Sequence, residues 1–138
     1  MNATDQHRTL SSTPASAGTA RRFVERVLTD AGLGDRAYTA TLLVSELVAN
    51  AVLHTGTPID VVVKTAGPWA RVEVHDGSQQ LPVRKNYSSM SGTGRGLVLV
   101  DRMATRWGAD ATDGGKMVWF ELDGPAARAF DISDVEAL

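Results

Sequence analysis

The chain has 138 residues, 43% of them hydrophobic and 22% charged, and a formal net charge of -2 at pH 7. That length suits one domain with a real core, and a near-neutral balance without a long basic run argues against a nucleic-acid binder. The absence of cysteine excludes disulfides and thiolate metal sites and fits a reducing compartment. MNATDQHRTL lacks the apolar centre of a signal peptide, and no apolar run approaches the roughly 18 residues of a membrane span. A cytoplasmic protein is the expectation.

Residues 1–13 are polar and rich in Ser and Thr. They read as a flexible N-terminal segment in which Arg8–Leu10 could add a short edge strand. A first helix is predicted from near Pro14 to Ala31. Ala20, Phe23, Val24, Val27 and Leu28 fall at helical spacing, with Arg21, Arg22, Glu25 and Arg26 largely on the other face. A second helix is predicted from Asp35 to Gly56, with Asp35 as cap, Gly56 as terminator and Pro58 as block. Leu42, Leu43, Val44, Leu47, Val48, Ala51, Val52 and Leu53 cover most of its circumference, which predicts a buried helix. The short connection favours two antiparallel, packed helices.

The period then changes to two. Ile59, Val61 and Val63 alternate with Asp60, Val62 and Lys64. From Trp69 to Asp76, Ala70, Val72 and Val74 share one face, and Arg71, Glu73 and His75 the other. With Ala66-Gly67-Pro68 between them, the two strands predict an antiparallel hairpin. Residues 77–91 have no clear period, and so long a loop is often a functional lid. Gly92-Thr93-Gly94-Arg95-Gly96 leads into LVLVDRMA, a predicted helix whose N-terminus abuts the glycines. Thr105–Ala111 and Lys116–Leu122, joined at Asp113-Gly114-Gly115, predict a second hairpin. The expected domain spans 14–123, with a tail over 124–138. This element order predicts an α+β two-layer sandwich, a mainly antiparallel sheet with helices on one face.

Three features carry candidate chemistry. Glu46, Asn50 and His54 recur every four residues and form a polar stripe on an otherwise apolar helix. A carboxylate and an amide beside a buried surface need partners, and Asn offers a neutral oxygen to Mg²⁺. Asp76 ends a strand, where its carboxylate can accept a hydrogen bond from an exocyclic amine. Alternating glycines before a helix let backbone N–H groups approach an anion, and Arg95 adds a phosphate partner. The run is neither a dinucleotide fingerprint nor a P-loop. Taken singly, the three features read equally well as a wet helix edge, a turn residue and a linker.

Their order and spacing are more specific. E-x-x-x-N-A on a helix, V-x-D at a strand end, G-x-G-x-G-L opening a helix and a Gly-Gly hairpin together resemble the GHKL ATPase superfamily, which has the Bergerat nucleotide fold. More narrowly, the chain is similar to anti-sigma-factor serine/threonine kinases and small ATP-binding regulators of actinobacteria. NAVLHTG, GTGRGLVLVD, and RWG followed by GGKMVWFEL carry that likeness, which covers residues 14–122.

The resemblance implies ATP and Mg²⁺ as cofactors. Asn50 would bind the Mg²⁺ that bridges the phosphates. Glu46 would be the general base toward a serine or threonine hydroxyl of a partner. Asp76, with Gly77 beside it, would read the adenine amine. Gly92, Thr93, Gly94, Arg95, Gly96 and Leu97 would close over the phosphates. The implied partners are a sigma factor, which the protein sequesters, and an antagonist protein, which it phosphorylates. Homodimerisation is common in the resembled kinases, and neither nucleic acid nor membrane is implied.

Three positions depart from the family pattern. Ser78 stands where a glycine is expected after the Asp. Met117 reads as the counterpart of a Thr beside the adenine-binding Asp. Leu53 replaces the Lys of histidine kinases, which argues against that branch. The alternative function is a catalytically weak or inactive nucleotide-binding interaction module.

Overall fold

The computed structural model describes residues 3–78 and 94–123. Most of the expected lid, all of the expected tail, and Gly92 and Thr93 lie outside the described residues. Along the chain the elements are β1 (Ala3–Leu10), α1 (Ser16–Asp30), a 3-10 turn (Gly34–Arg36), α2 (Ala37–His54), β2 (Ile59–Ala66), β3 (Trp69–Asp76), α3 (Gly94–Met103), β4 (Arg106–Thr112) and β5 (Gly115–Leu122). The five strands form one antiparallel sheet in the order β1-β2-β3-β5-β4. The expected α+β two-layer architecture is the one observed.

Alternation fixes which face of the sheet is covered. Ile59, Val61 and Val63 of β2, Ala70, Val72 and Val74 of β3, and Val118, Phe120 and Leu122 of β5 all point into the core. They meet Phe23, Val24, Val27 and Leu28 of α1, Leu43, Val44, Leu47 and Val48 of α2, and Leu97, Leu99 and Val100 of α3. Burying each large apolar side chain contributes on the order of 1.5–3 kcal/mol. Polar contacts add to this, within the helix layer and between the layers. Arg21 donates from Nη1 to Ser45 Oγ at 3.1 Å, joining α1 to α2. Trp107 Nε1 donates to Asp101 Oδ1 at 2.9 Å, joining β4 to α3.

Three local expectations need correction. The polar segment over 1–13 carries β1, an eight-residue edge strand paired along β2 from Ala3↔Ala66 to Leu10↔Ile59. Only Leu10 of β1 is buried, so the strand lacks the apolar alternation that would announce it. Asp35 does not cap α2. The 3-10 turn takes that position, Arg36 becomes the N-cap without a side-chain cap bond, and the Asp35 carboxylate accepts from Arg36 Nη1 at 2.7 Å. Nor is α2 enclosed all round, because Leu53 is 67% exposed and Leu42 and Val52 are half-buried. Among the described residues, no helix is long and apolar enough to cross a membrane.

Candidate functional site

The apolar face of the sheet ends in two charges. On β3 the inward series Ala70, Val72, Val74 continues to Asp76, and on β5 the series Leu122, Phe120, Val118 continues backward to Lys116. Asp76 and Lys116 are register partners, so both side chains reach the helix side at the same end of the sheet. There they meet Asn50 of α2 and Leu97 of α3. Leu47, Asn50, Ala51, Val74, Asp76, Leu97, Lys116 and Val118 together line a cavity of ≈ 20 Å³.

Local contacts hold the strand end in place. Asp76 Oδ1 accepts the Ser78 backbone N–H at 2.8 Å. Thr57 Oγ1 accepts the Gly77 N–H at 2.8 Å and lies 2.6 Å from Thr55 Oγ1, which anchors the turn after β3 to the end of α2. Asp76 Oδ2 lies 3.7 Å from Lys116 Nζ, closer than ordinary separation of charges but longer than a hydrogen bond. The two side chains are 2% and 6% exposed, respectively. Gly115 makes this approach feasible, since a Cβ there would overlap the carbonyl oxygen of Asp76. Asp76 also borders a second, open cleft of ≈ 400 Å³, lined by Thr57, His75, Gly77 and the β4–β5 turn at Thr112–Gly114.

The structure thus gathers Asn50, Asp76 and Leu97 around one cavity. Glu46 lies one turn before Asn50 on α2 and is half-buried, outside the cavity lining. His54, the third member of the helical stripe, is exposed at the end of α2. Gly77 follows Asp76 against Thr57. Gly94, Arg95 and Gly96 form the first turn of α3, so the helix starts within the glycine run instead of after it. Met117 is not the residue beside Asp76. It pairs with His75 and faces the uncovered side of the sheet, whereas Lys116 occupies the place inside. Counting back in twos from Leu122, Phe120 and Val118 lands on Lys116, and that was the signal available in the sequence. Thr57 had no comparable signal.

The uncovered side carries a second charged group. Arg71 donates from Nε to Glu73 Oε2 and from Nη1 to Glu121 Oε2, each at 2.7 Å. Its guanidinium also stacks 4.1 Å from the centroid of the Trp119 ring. Glu73 further bonds His75 Nε2 at 2.9 Å and faces Lys64 Nζ at 3.7 Å. Burial alone would raise the Glu73 carboxyl. Hydrogen bonds from His75 and Arg71, with the charges of Lys64 and Arg71, outweigh burial and hold it below the usual carboxylate range. Glu121 is held low in the same way, its burial outweighed by bonds from Arg106 and Arg71.

Among the described residues, no three His, Asp or Glu side chains gather as a self-sufficient metal site. A hard cation such as Mg²⁺ could still be held by the Asn50 amide oxygen together with ligand phosphates and water, the coordination it favours. The donor set therefore fits a phosphate-borne cation better than a resident one.

A model of the histidine kinase-like ATPase domain matches residues 10–122. The chain belongs to this family, and thereby to the GHKL superfamily. No curated protein matches it. Among solved structures it is similar in fold to the crystal structure of the RsbU and RsbW domains of Rv1364c from Mycobacterium tuberculosis, with a TM-score of 0.64 and 23% identity. That match covers 93% of this chain and 35% of the other, so this chain spans about a third of that protein's length.

Proposed function

We propose that the protein is an ATP-binding regulator that transfers the γ-phosphate to a serine or threonine of an antagonist protein and sequesters a sigma factor. The observation that carries this reading is the meeting of Asn50, Asp76 and Leu97, distant in sequence, around one cavity in a histidine kinase-like ATPase fold. The RsbW domain named in the similar structure supports the regulatory setting. In this reading Asp76 accepts the adenine amine through Oδ2, since Oδ1 already takes the Ser78 N–H. Gly77 turns the chain out beside the base. Gly92 to Leu97 bring backbone N–H groups and the N-terminus of α3 to the phosphates, with Arg95 as a further cationic partner.

Asn50 would hold Mg²⁺ together with phosphate oxygens and water, and the ion would neutralise phosphate charge. Glu46, one turn away on α2, takes the proton from the incoming hydroxyl. The hydroxyl oxygen forms a bond to the γ-phosphorus, the β–γ bridging P–O bond breaks, and ADP carries away the electron pair. The domain responsible includes β1 and so begins before the expected 14–123 span, and we place the protein in the cytoplasm.

The test is transfer of labelled γ-phosphate from ATP to a cognate antagonist protein. Glu46→Gln is expected to lower transfer by about 10²–10⁴-fold, the usual contribution of a general base, while ATP binding persists. Unchanged transfer in that variant would remove Glu46 from the chemistry. ATP binding without any transfer by the wild type would favour a nucleotide-sensing interaction module.

A further inference from the structure

Lys116 is a nearly buried ammonium pointing at the one oxygen of Asp76 that the turn leaves available. At 3.7 Å it gives that oxygen charge compensation without a hydrogen bond. The cavity both residues line has a volume of ≈ 20 Å³. Such a space holds about one water, whereas sites for small molecules run to roughly 300–1,000 Å³. Lys116 and Asp76 therefore line a space too small for a base.

Resting on the nucleotide-binding reading above, we propose that Lys116 is an intramolecular competitor for the base. Its ammonium takes the position opposite Asp76 Oδ2 that an exocyclic amine must occupy. The cavity beside that oxygen has room for about one water, so the ammonium and a base amine cannot both stand there. A purine enters as Lys116 swings aside on its flexible stem. The empty site stays closed and charge-neutral. Nucleotide affinity is set by the exchange of one Asp76 partner for another, so the residue tunes the occupancy of the site without touching the phosphates.

Calorimetric titrations of ATP, adenosine and tripolyphosphate into the wild type and Lys116→Met test this. Methionine keeps the length of the stem and removes the charge. The expected result is about tenfold tighter binding of both ATP and adenosine, the scale of one exchanged charged partner, with tripolyphosphate binding unchanged. Equal or weaker adenosine binding by a folded variant would overturn the competitor role while leaving the nucleotide-binding reading intact. Failure of the folded wild type and the folded variant alike to bind ATP would overturn that reading and the inference with it.

A second measurement does not need that variant to fold. The chain has three lysines, Lys64, Lys85 and Lys116. In protein labelled with ¹³C-lysine, the Lys116 resonance is the one lost in Lys116→Arg. Saturating adenosine should shift it and open it to a soluble paramagnetic probe. A Lys116 signal that stays shielded at saturation would overturn the proposal.

Discussion

Strands β3 and β5 carry two charged assemblies, one on each side of the same sheet. On the uncovered side, Arg71 bonds Glu73 and Glu121 at 2.7 Å and lies against Trp119. On the helix side, Asp76 and Lys116 stand 3.7 Å apart beside a small cavity. In the first, both carboxylate oxygens of Glu73 and of Glu121 are hydrogen-bonded. The second is more deeply buried yet less well bonded. A buried pair with no hydrogen bond between its members gives up much of its solvation and recovers only part of it. The contrast teaches that the outer group is built to hold the sheet, whereas the inner pair is built to change partners.

The largest expected effect comes from forcing the inner pair apart. Gly115→Ala puts a Cβ onto the Asp76 carbonyl oxygen, so β5 must shift away from β3. We expect a loss of about 3 kcal/mol in urea unfolding, at the upper end for overpacking, because backbone on both sides must move. A loss below about 0.5 kcal/mol would mean that the strands have slack at the site.

Breaking the outer group should cost less. Arg71→Met leaves Glu73 in its shielded position with Lys64 and His75 as remaining partners, and it removes the stack on Trp119. A destabilisation of about 2 kcal/mol is expected by urea unfolding, with ATP binding unchanged. A matching loss of ATP affinity would show that the two assemblies are coupled through the strands.

The smallest effect is in the pH profile. Glu73 and Glu121 are held below their usual range in the folded chain, so the unfolded chain binds more protons as the solution is acidified. Their contribution is complete above the ordinary glutamate value of about 4.3 and is lost as pH falls from there through the depressed folded values. The gap between the urea midpoints of wild type and Arg71→Met should therefore narrow as pH falls below about 4.3. A gap that does not narrow at all on acidification would place the cost of Arg71→Met in packing instead of charge.

The same contrast explains what was legible in the sequence. The hairpins β2–β3 and β4–β5 carry apolar inward positions at every second residue, except Lys116, Thr65 and Asp76, together with turn residues, and their registers follow those positions. Asn50 and Asp76 stand out because a polar residue interrupts an apolar series. Only the Arg8–Leu10 end of β1 was legible, because an edge strand can be polar along almost its whole length. The cap of α2 was hidden because Asp35 serves Arg36 within a 3-10 turn. The misassignment of Met117 is a one-residue register matter. Such a slip turns a side chain to the other face of the sheet, and here it exchanged an outward thioether for an inward ammonium.

The most direct measurement is calorimetric titration of ATP with Mg²⁺ into the wild type and into Asp76→Asn, each checked for folding by circular dichroism. The account predicts saturable binding to the wild type and an affinity lower by roughly 10- to 100-fold in the variant, the scale of one charge-assisted hydrogen bond. Equal affinities would contradict Asp76 as the base-reading residue. A folded wild type that takes up no ATP would contradict the nucleotide site itself.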